Sequence, residues 1–203
     1  MHRGLPGKNR HPGSLEKPVL KNDFMNNIYR PIEAAVERVI TETPTIKTLV
    51  LRPKEPISFK TGQFVELTVP GVGEAPFTPS SNPSATDAME VTIMKVGRVT
   101  EKIHRLKKGD AVGLRGPMGR GYPLDRFEGK DVLVVAGGCG FAPLRSLMYS
   151  LFNMRDRLGH LIFRGGCRMP KEFLYKREMK RWGKRDDLEM ELTGAEFREA
   201  ATE

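Results

Sequence analysis

Residues 136–146 read AGGCGFAPLRS, three glycines and a cysteine between an apolar run and a proline. Three chemistries suit that spacing. Glycines let a ligand approach the backbone, and the helix that follows carries about half a positive charge at its N-terminus, so a phosphate is stabilised there without any side chain. A cysteine beside a base would be a nucleophile, and the same residues also make a plain tight turn. The dinucleotide fingerprint G-x-G-x-x-G is not met, because Gly138 and Gly140 fit but Pro143 holds the third glycine's place; the Lys and Ser/Thr of a P-loop are missing too. A cofactor cradle and a plain turn stand level on these residues alone. Cys139 and Cys167, 28 positions apart, have no CxxC spacing, no paired histidines and no neighbouring base. They read as packed side chains, and neither a zinc site nor a cysteine-ligated iron–sulfur cluster can be built from this chain alone.

A second anion-ready stretch lies upstream in IMKVGRVTEKIHRLKKGD, where a strand gives way through Gly97 to a short helix. Thr100 is the expected N-cap, Ile103 and Leu106 face inward, Gly109 ends the helix, and His104 lies on its solvated side. Phosphate binding and an ordinary turn with a cap are equally good readings of Gly97 and Thr100.

The elements that must position these loops fall into two grammars. From Pro31 to about Leu114 short strands alternate with proline and glycine clusters, the pattern of an antiparallel barrel. In FVELTV the residues Val65, Leu67 and Val69 share a face, in TLVLR Leu49 and Leu51, and in DAVGLRG Val112 and Leu114, so each is expected to be a half-buried strand. After about Phe127 the order becomes strand, helix, strand, helix, strand. DVLVVA is a continuous apolar run, as expected of a parallel strand covered on both faces. The next helix is expected to start at Pro143, with Leu144, Leu147, Met148, Leu151 and Phe152 on one stripe. HLIFR follows as a strand, PKEFLYKREMKRW as a helix stopped by Gly183, and DLEMEL as a third strand with Leu188, Met190 and Leu192 alternating. Together these make half of a doubly wound parallel sheet. The expected organisation is a tail over 1–30, a barrel over 31–127 and a partial α/β domain over 128–203.

Composition bounds the function. The 203 residues are 38% hydrophobic and 29% charged, which suits a globular chain of one large or two small domains. The longest apolar run, VLVVA, is far short of the ~20 residues of a membrane span, and the polar start lacks a signal core, so the expected compartment is the cytoplasm. The net charge of +9 is concentrated: residues 1–22 hold Arg3, Lys8, Arg10, Lys17 and Lys21 against Glu16, a share of +4 in a Gly/Pro/Asn-rich segment read as a disordered tail. A basic surface favours an acidic partner protein or a phosphorylated ligand. No nucleic-acid-binding motif accompanies the charge.

The order TGQFVELTV, EAPFTPSSNP, VGRVTEKIHRLKKGD, LRGPMGRGYPLD and VLVVAGGCGFAPLRSL resembles the ferredoxin:NADP reductase superfamily. Within it the chain is similar to the gamma subunits of nickel-iron hydrogenases and sulfhydrogenases, to one of the subunits of anaerobic sulfite reductase and to the dihydroorotate dehydrogenase electron-transfer subunit. The resemblance runs from about Pro31 to Trp182. It implies FAD in the barrel and NAD(P)H on the second domain. The family's Arg-x-Tyr-Ser type motif is replaced by Ala75, Pro76, Phe77 and Thr78, in which Phe77 offers a ring face and Thr78 a hydroxyl, while the arginine is absent. By the same matching Ile93, Met94 and Lys95 line the ribityl and adenosine side of FAD, and Gly97, Val99 and Thr100 face its diphosphate. Gly137, Gly138, Cys139, Gly140, Ala142 and Pro143 hold the NAD(P)H diphosphate and nicotinamide side, with Cys139 as packing and the roles of Arg145 and Ser146 open. No acid or base is expected, because hydride passes directly from nicotinamide to flavin and electrons then leave singly.

The resemblance also implies further strands and a cysteine cluster for a [2Fe-2S] centre beyond Glu203, so the expectation is a fragment, a truncated product, or a subunit completed by a partner. The implied function is electron transfer between NAD(P)H and redox subunits of a hydrogenase or a sulfur- or sulfite-reducing complex. The alternatives are a relay or assembly subunit without a complete NAD(P) site and, more remotely, a basic nucleotide- or nucleic-acid-binding module. Arg164 and Arg168 near the end of the second parallel strand either meet a 2′-phosphate or are surface charges.

Overall fold

The computed structural model describes Met1 and residues 30–194. The tail expected over 1–30 thus falls, apart from its two end residues, outside the described residues. Strands β1 (Ile32–Thr43), β2 (Ile46–Pro53), β3 (Phe64–Val69), β4 (Gly73–Phe77), β5 (Met89–Met94) and β6 (Ala111–Met118) form one antiparallel sheet in the order β4-β3-β6-β1-β2-β5. An isolated bridge between Pro79 and Val91 brings the chain after β4 against β5, so the two edges of the sheet meet and it curls into a barrel. The period-2 pattern fills the interior: Val65, Leu67, Leu49, Leu51, Val91, Ile93, Val112 and Leu114 are buried together. Each such side chain contributes about 1.5–3 kcal/mol relative to exposure.

Strand β2 departs from the half-buried expectation. Its outward residues Ile46, Thr48 and Val50 are buried as well as Leu49 and Leu51, because the second half of the molecule packs on the outside of β2 and β5.

The short helix α1 (Arg98–Ile103) is capped differently from the expectation. Gly97 is the N-cap and Thr100 lies inside, its hydroxyl accepting the N–H groups of Val96 and Gly97 at 2.9 Å each and donating to Gly97 O. Gly109 does not end the helix, which stops at Ile103; with φ +94° it turns the chain into β6 and donates its N–H to Val36 O at 2.8 Å. His104 is buried, not solvated. Its Nε2–H donates to Ile93 O at 2.9 Å, and Lys47 Nζ donates to His104 O at 2.8 Å, so this end of α1 is tied to β2 and β5.

The second half comprises β7 (Val132–Gly137), α2 (Phe141–Asn153), β8 (Leu161–Gly166), α3 (Lys176–Trp182) and β9 (Glu189–Thr193), with the strands parallel in the order β7-β8-β9. Strand β7 is not covered on both faces. Val132, Val134 and Ala136 are buried under α2 and α3, whereas Leu133 and Val135 are 60% and 65% exposed, because both described helices of this half lie on the same side of the sheet.

Helix α2 starts at Phe141, two residues before Pro143, after a 3-10 turn over Gly138–Gly140. Pro143 is therefore its third residue, still within the first turn, where an N–H has no intrahelical acceptor to lose. The apolar stripe understates the burial: Ala142, Arg145, Ser146 and Ser150 are also buried, since α2 is wedged between the sheet and the barrel. The helix expected over 170–182 is broken into a 3-10 turn at Pro170–Glu172 and α3. Between them Phe173, Leu174 and Tyr175 are all buried, which three consecutive residues of a surface helix cannot be. Tyr175 sits at φ 53° and donates its N–H to Glu42 Oε2 of β1 at 3.0 Å. Trp182 closes this core edge-on to Phe141, Tyr149, Phe152 and Phe163, with ring centroids 5.3–6.1 Å apart.

Candidate functional site

Two turns that read as anion-ready come together at the junction of the halves. Strand β5 ends at Met94, whose backbone lies beside Cys139 of the glycine turn, so the end of this strand and the turn Gly138–Gly140 are neighbours. Burial pushes the Cys139 thiol up, and the Met94 backbone offsets this only in part. Cys139 is thus held as a thiol packed against the second core.

The expected site residues divide into those that present atoms to the junction and those that do not. Met94 and Lys95 are exposed. Ile93 does not face the junction: its side chain lies in the barrel core and its carbonyl is taken by His104. Ala75, Phe77 and Thr78 are half-buried and Pro76 exposed, on β4 and the residue after it, and Phe77 packs its ring partly against the barrel core. Val99 is half-buried against the same core. The Thr100 hydroxyl accepts two hydrogen bonds and donates one within its own turn, which leaves it nothing for a ligand and uses the Gly97 N–H as well. Ala142 is buried and Pro143 half-buried on α2.

The glycines of the chain are there for different reasons. At Gly165 an added Cβ would lie 2.7 Å from Leu192 Cδ2, and at Gly121 2.8 Å from Lys60 Cβ, so packing explains those two. Gly138 has φ +50°, which explains it by conformation. Gly97 is fully extended at φ −174° and Gly140 is helical at φ −62°; at neither would a Cβ meet any atom within 4 Å. Gly137, extended at φ −138°, would meet only Gly166 O at 3.8 Å. Neither backbone strain nor packing calls for glycine at these three positions. What they share is open space where a Cβ would stand, at a strand-to-helix turn, the room a close-approaching phosphate needs.

A small cavity adjoins the glycine turn at the carboxyl ends of the parallel strands, lined by Ala136, Gly138, Gly165, Gly166, Cys167 and Leu192 among others. In open parallel sheets this crevice is the ligand side. Arg168 follows the lining residue Cys167 after β8 and is exposed. Arg164 lies on the sheet face, ion-paired with Glu189 and, at 3.1 Å, with Glu191 of β9, so it is committed within the sheet.

Sequence reasoning missed a buried polar seam beside this junction. Arg145 of α2 donates to Glu90 of β5, to Ser80 O at 3.3 Å and to Glu178 Oε1 of α3 at 2.8 Å, and its guanidinium lies 4.4 Å from the Tyr175 ring centroid. Tyr149 donates to the same Glu178 oxygen. Tyr175 and Thr92 of β5 share a hydrogen bond of 2.5 Å, and Thr92 bonds Thr48 at 2.8 Å and Ser80 at 3.1 Å. One signal could have found the seam: FAPLRSLMYSLFN has a single charged residue in 13, too few for a helix with a solvated face.

Burial pushes the Tyr175 hydroxyl up to about 12, against smaller opposing effects of Ser80, Thr92 and Arg145. A raised phenol pKa stabilises the fold below the unfolded value near 10, and this contribution is lost as pH rises from about 10 through 12. The full two-unit shift corresponds to about 2–3 kcal/mol. Denaturant midpoints of the wild type are expected to fall over that window more steeply than those of Tyr175→Phe; parallel profiles would count against the buried phenol.

Among the described residues no group of three His, Cys, Asp or Glu side chains is placed to hold a metal ion, and no helix is long and apolar enough to cross a membrane.

Comparison with known proteins agrees with the two-part build. Residues 34–122 match the Oxidoreductase FAD-binding domain and residues 134–203 the Oxidoreductase NAD-binding domain. The chain is 41% identical over 160 residues to the Sulfhydrogenase 1 subunit gamma of Pyrococcus furiosus, covering 76% of this chain and 55% of that one. It is 42% identical over 118 residues to a probable dihydroorotate dehydrogenase B (NAD(+)) electron transfer subunit of Methanocella arvoryzae, covering 58% and 42%. The chain spans about half the length of these curated relatives. Among solved structures, a ferredoxin NADP+ reductase from Neisseria gonorrhoeae with bound FAD and NADP superposes with a TM-score of 0.69 at 22% identity over 79% of this chain and 66% of that one, a likeness of fold. A barrel matching the FAD-binding domain, followed by a parallel α/β half matching the NAD-binding domain, makes this chain a member of the ferredoxin reductase family of oxidoreductases.

Proposed function

We propose that the chain is a flavin-dependent electron-transfer subunit of the diaphorase type, with FAD on the barrel half over 31–127 and NAD(P)H on the half over 128–203. The observation that carries this reading is the trio Gly97, Gly137 and Gly140, glycines that fold alone does not require, at the two turns that meet across Met94 and Cys139. Phe77 and Thr78 would flank the flavin ring, Met94 and Lys95 its chain side, and the first turn of α1 with Val99 its diphosphate. Because the Thr100 hydroxyl and the Gly97 N–H are already paired, the main-chain donors of Arg98 and Val99 replace them in that role. The turn Gly137–Gly140 with the first residues of α2 would hold the dinucleotide diphosphate, while Ala142, Pro143 and Cys139 shape its floor. Bound there, flavin supplies the conversion between two-electron nicotinamide chemistry and single-electron transfer. The protein contributes placement and exclusion of water, and no residue is required to move a proton.

The proposed partners are redox subunits of a hydrogenase or of a sulfur- or sulfite-reducing complex, in the cytoplasm, with any [2Fe-2S] centre outside the residues present. The sulfhydrogenase gamma relatives support that choice. Mixing the protein with excess FAD and removing the free cofactor is expected to leave one yellow flavin per chain, and NADH or NADPH is then expected to drive reduction of an artificial dye. A folded protein that stays colourless ends the proposal. Stoichiometric flavin without oxidation of either nucleotide would instead fit a relay role.

A further inference from the structure

Several contacts join the two halves, among them Tyr175 with Glu42 and Thr92, and the buried ion pairs of Arg145 fasten the segments that the proposed function assigns to the two cofactors. Arg145 follows Gly140 by five residues on the same helix. Its partners on the barrel are Glu90 and Ser80 O; Ser80 is two residues past Thr78, and Glu90 is four before Met94 on β5. The Ser80 N–H donates to Glu90 O at 2.7 Å, next to the Pro79–Val91 bridge, so the two receiving segments are themselves locked to each other. On its other side the guanidinium takes Glu178 Oε1 through two nitrogens at 2.8 and 3.0 Å, a fork that fixes its plane, and Tyr175 lies across its face.

Alternate residues of β5 make this seam. Glu90 meets Arg145 and Thr92 meets Tyr175, both on the side of the strand away from the barrel core, and the backbone of Met94 at the strand's end lies beside Cys139. The seam therefore runs along β5 and ends at the point where the glycine turn touches it. Arg145 is only 8% exposed and sits between two carboxylates whose charge offsets the burial of its own. A buried charge held from both halves resists sliding more than an apolar contact does, because any displacement leaves a charge unpaired.

We infer that Arg145 is the positioning residue that sets the register between the nucleotide turn and the flavin-bearing segments, so that donor and acceptor rings meet at one fixed distance without closure of the halves. This inference rests on the function proposed above, but it makes a claim about the chain itself, that the two halves behave as one rigid unit because of this contact. A misplacement of about 1 Å between reacting groups slows a reaction about 100-fold.

The test uses the full chain loaded with FAD. Arg145→Met alone leaves the half-buried Glu90 without its partner and the buried Glu178 with only the exposed Arg181 at 3.8 Å, and can fail for that reason, so it is paired with a second variant, Arg145→Met/Glu90→Gln/Glu178→Gln, in which all three charges are removed together. The second variant is expected to fold, to keep its flavin and to bind NADH or NADPH within about threefold of the wild type. Its flavin reduction at saturating nucleotide is expected to be about 100-fold slower, a loss confined to the rate and absent from the half-saturation constant. Scanning calorimetry, which does not depend on activity, is expected to show one endotherm for the wild type and two for the variant. A single endotherm in the variant, or an unchanged limiting rate, overturns the inference. If the wild type oxidises neither nucleotide, the proposed function fails, and the endotherms alone decide whether Arg145 bolts the halves.

Discussion

Gly97→Val is expected to give a folded, colourless protein, and Gly140→Val a folded, yellow one that responds poorly to NADH and NADPH. Both positions have backbone angles that valine adopts without the strain of the left-handed region, and neither Cβ would touch protein. The fold should tolerate each substitution with little change in melting temperature. What a new side chain would obstruct is the space over the N–H groups at the start of α1 or α2. A phosphate displaced from such donors loses one or two charge-assisted hydrogen bonds, about 1.5–3 kcal/mol each, which weakens binding by at least about tenfold and by up to roughly 20,000-fold. Flavin content on isolation reads the first variant, and a nucleotide titration of the flavin-loaded protein reads the second. Two variants with the same phenotype would contradict the assignment of the turns to different ligands, and two variants with wild-type behaviour would contradict both turns as sites. Gly165→Ala is the opposite case, since its Cβ would lie 2.7 Å from Leu192 and 3.0 Å from Phe163, so it should affect folding before it affects any ligand.

What the sequence made legible is what local period and turn chemistry determine. Val65, Leu67 and Val69 alternate with Phe64, Glu66 and Thr68, and the structure buries the first set in the barrel. The order of strands and helices after Phe127 is legible for the same reason. The glycine turns were legible as places but not as sites, because a sequence does not say whether a glycine is there for its φ angle, for a neighbour, or for a ligand. Gly138, Gly165 and Gly140 look alike as letters and differ in that respect.

Long-range pairing was the illegible part. Arg145 finds Glu90 at a separation of 55 residues and Glu178 at 33, and nothing near either carboxylate in the chain marks it as a partner. The same blindness explains His104, which a local view leaves on a solvated helix face and which the fold places against Ile93 O. It explains the broken helix before α3, where the burial of Phe173, Leu174 and Tyr175 by elements far away in sequence outweighs a helical composition. It also explains β7, whose five consecutive apolar residues say nothing about which faces find cover.

That last ambiguity leads to the second large effect, Phe163→Ala set against Leu133→Ala. Both residues are large, apolar and central in a parallel strand, and the sequence gives no reason to rank them. Phe163 on β8 is fully buried, with its ring 5.3 Å from that of Phe141 and 6.1 Å from that of Trp182, so its removal leaves a cavity between the sheet and both helices. The expected loss is about 3–5 kcal/mol, a large fraction of the 5–15 kcal/mol that typically separates folded from unfolded chains. At about 2–4 °C per kcal/mol for a chain of this size, the melting temperature should fall by roughly 6–20 °C. Leu133 is 60% exposed on the face of β7 opposite Val132 and Val134, and its truncation should change stability by no more than about 0.5 kcal/mol. Urea titrations of the two variants measure the difference directly through the shift in midpoint at constant slope. Equal midpoints would mean that the face of the sheet carrying Leu133 is covered in solution as firmly as the one carrying Phe163, and the one-sided packing of α2 and α3 described for this half would then be wrong.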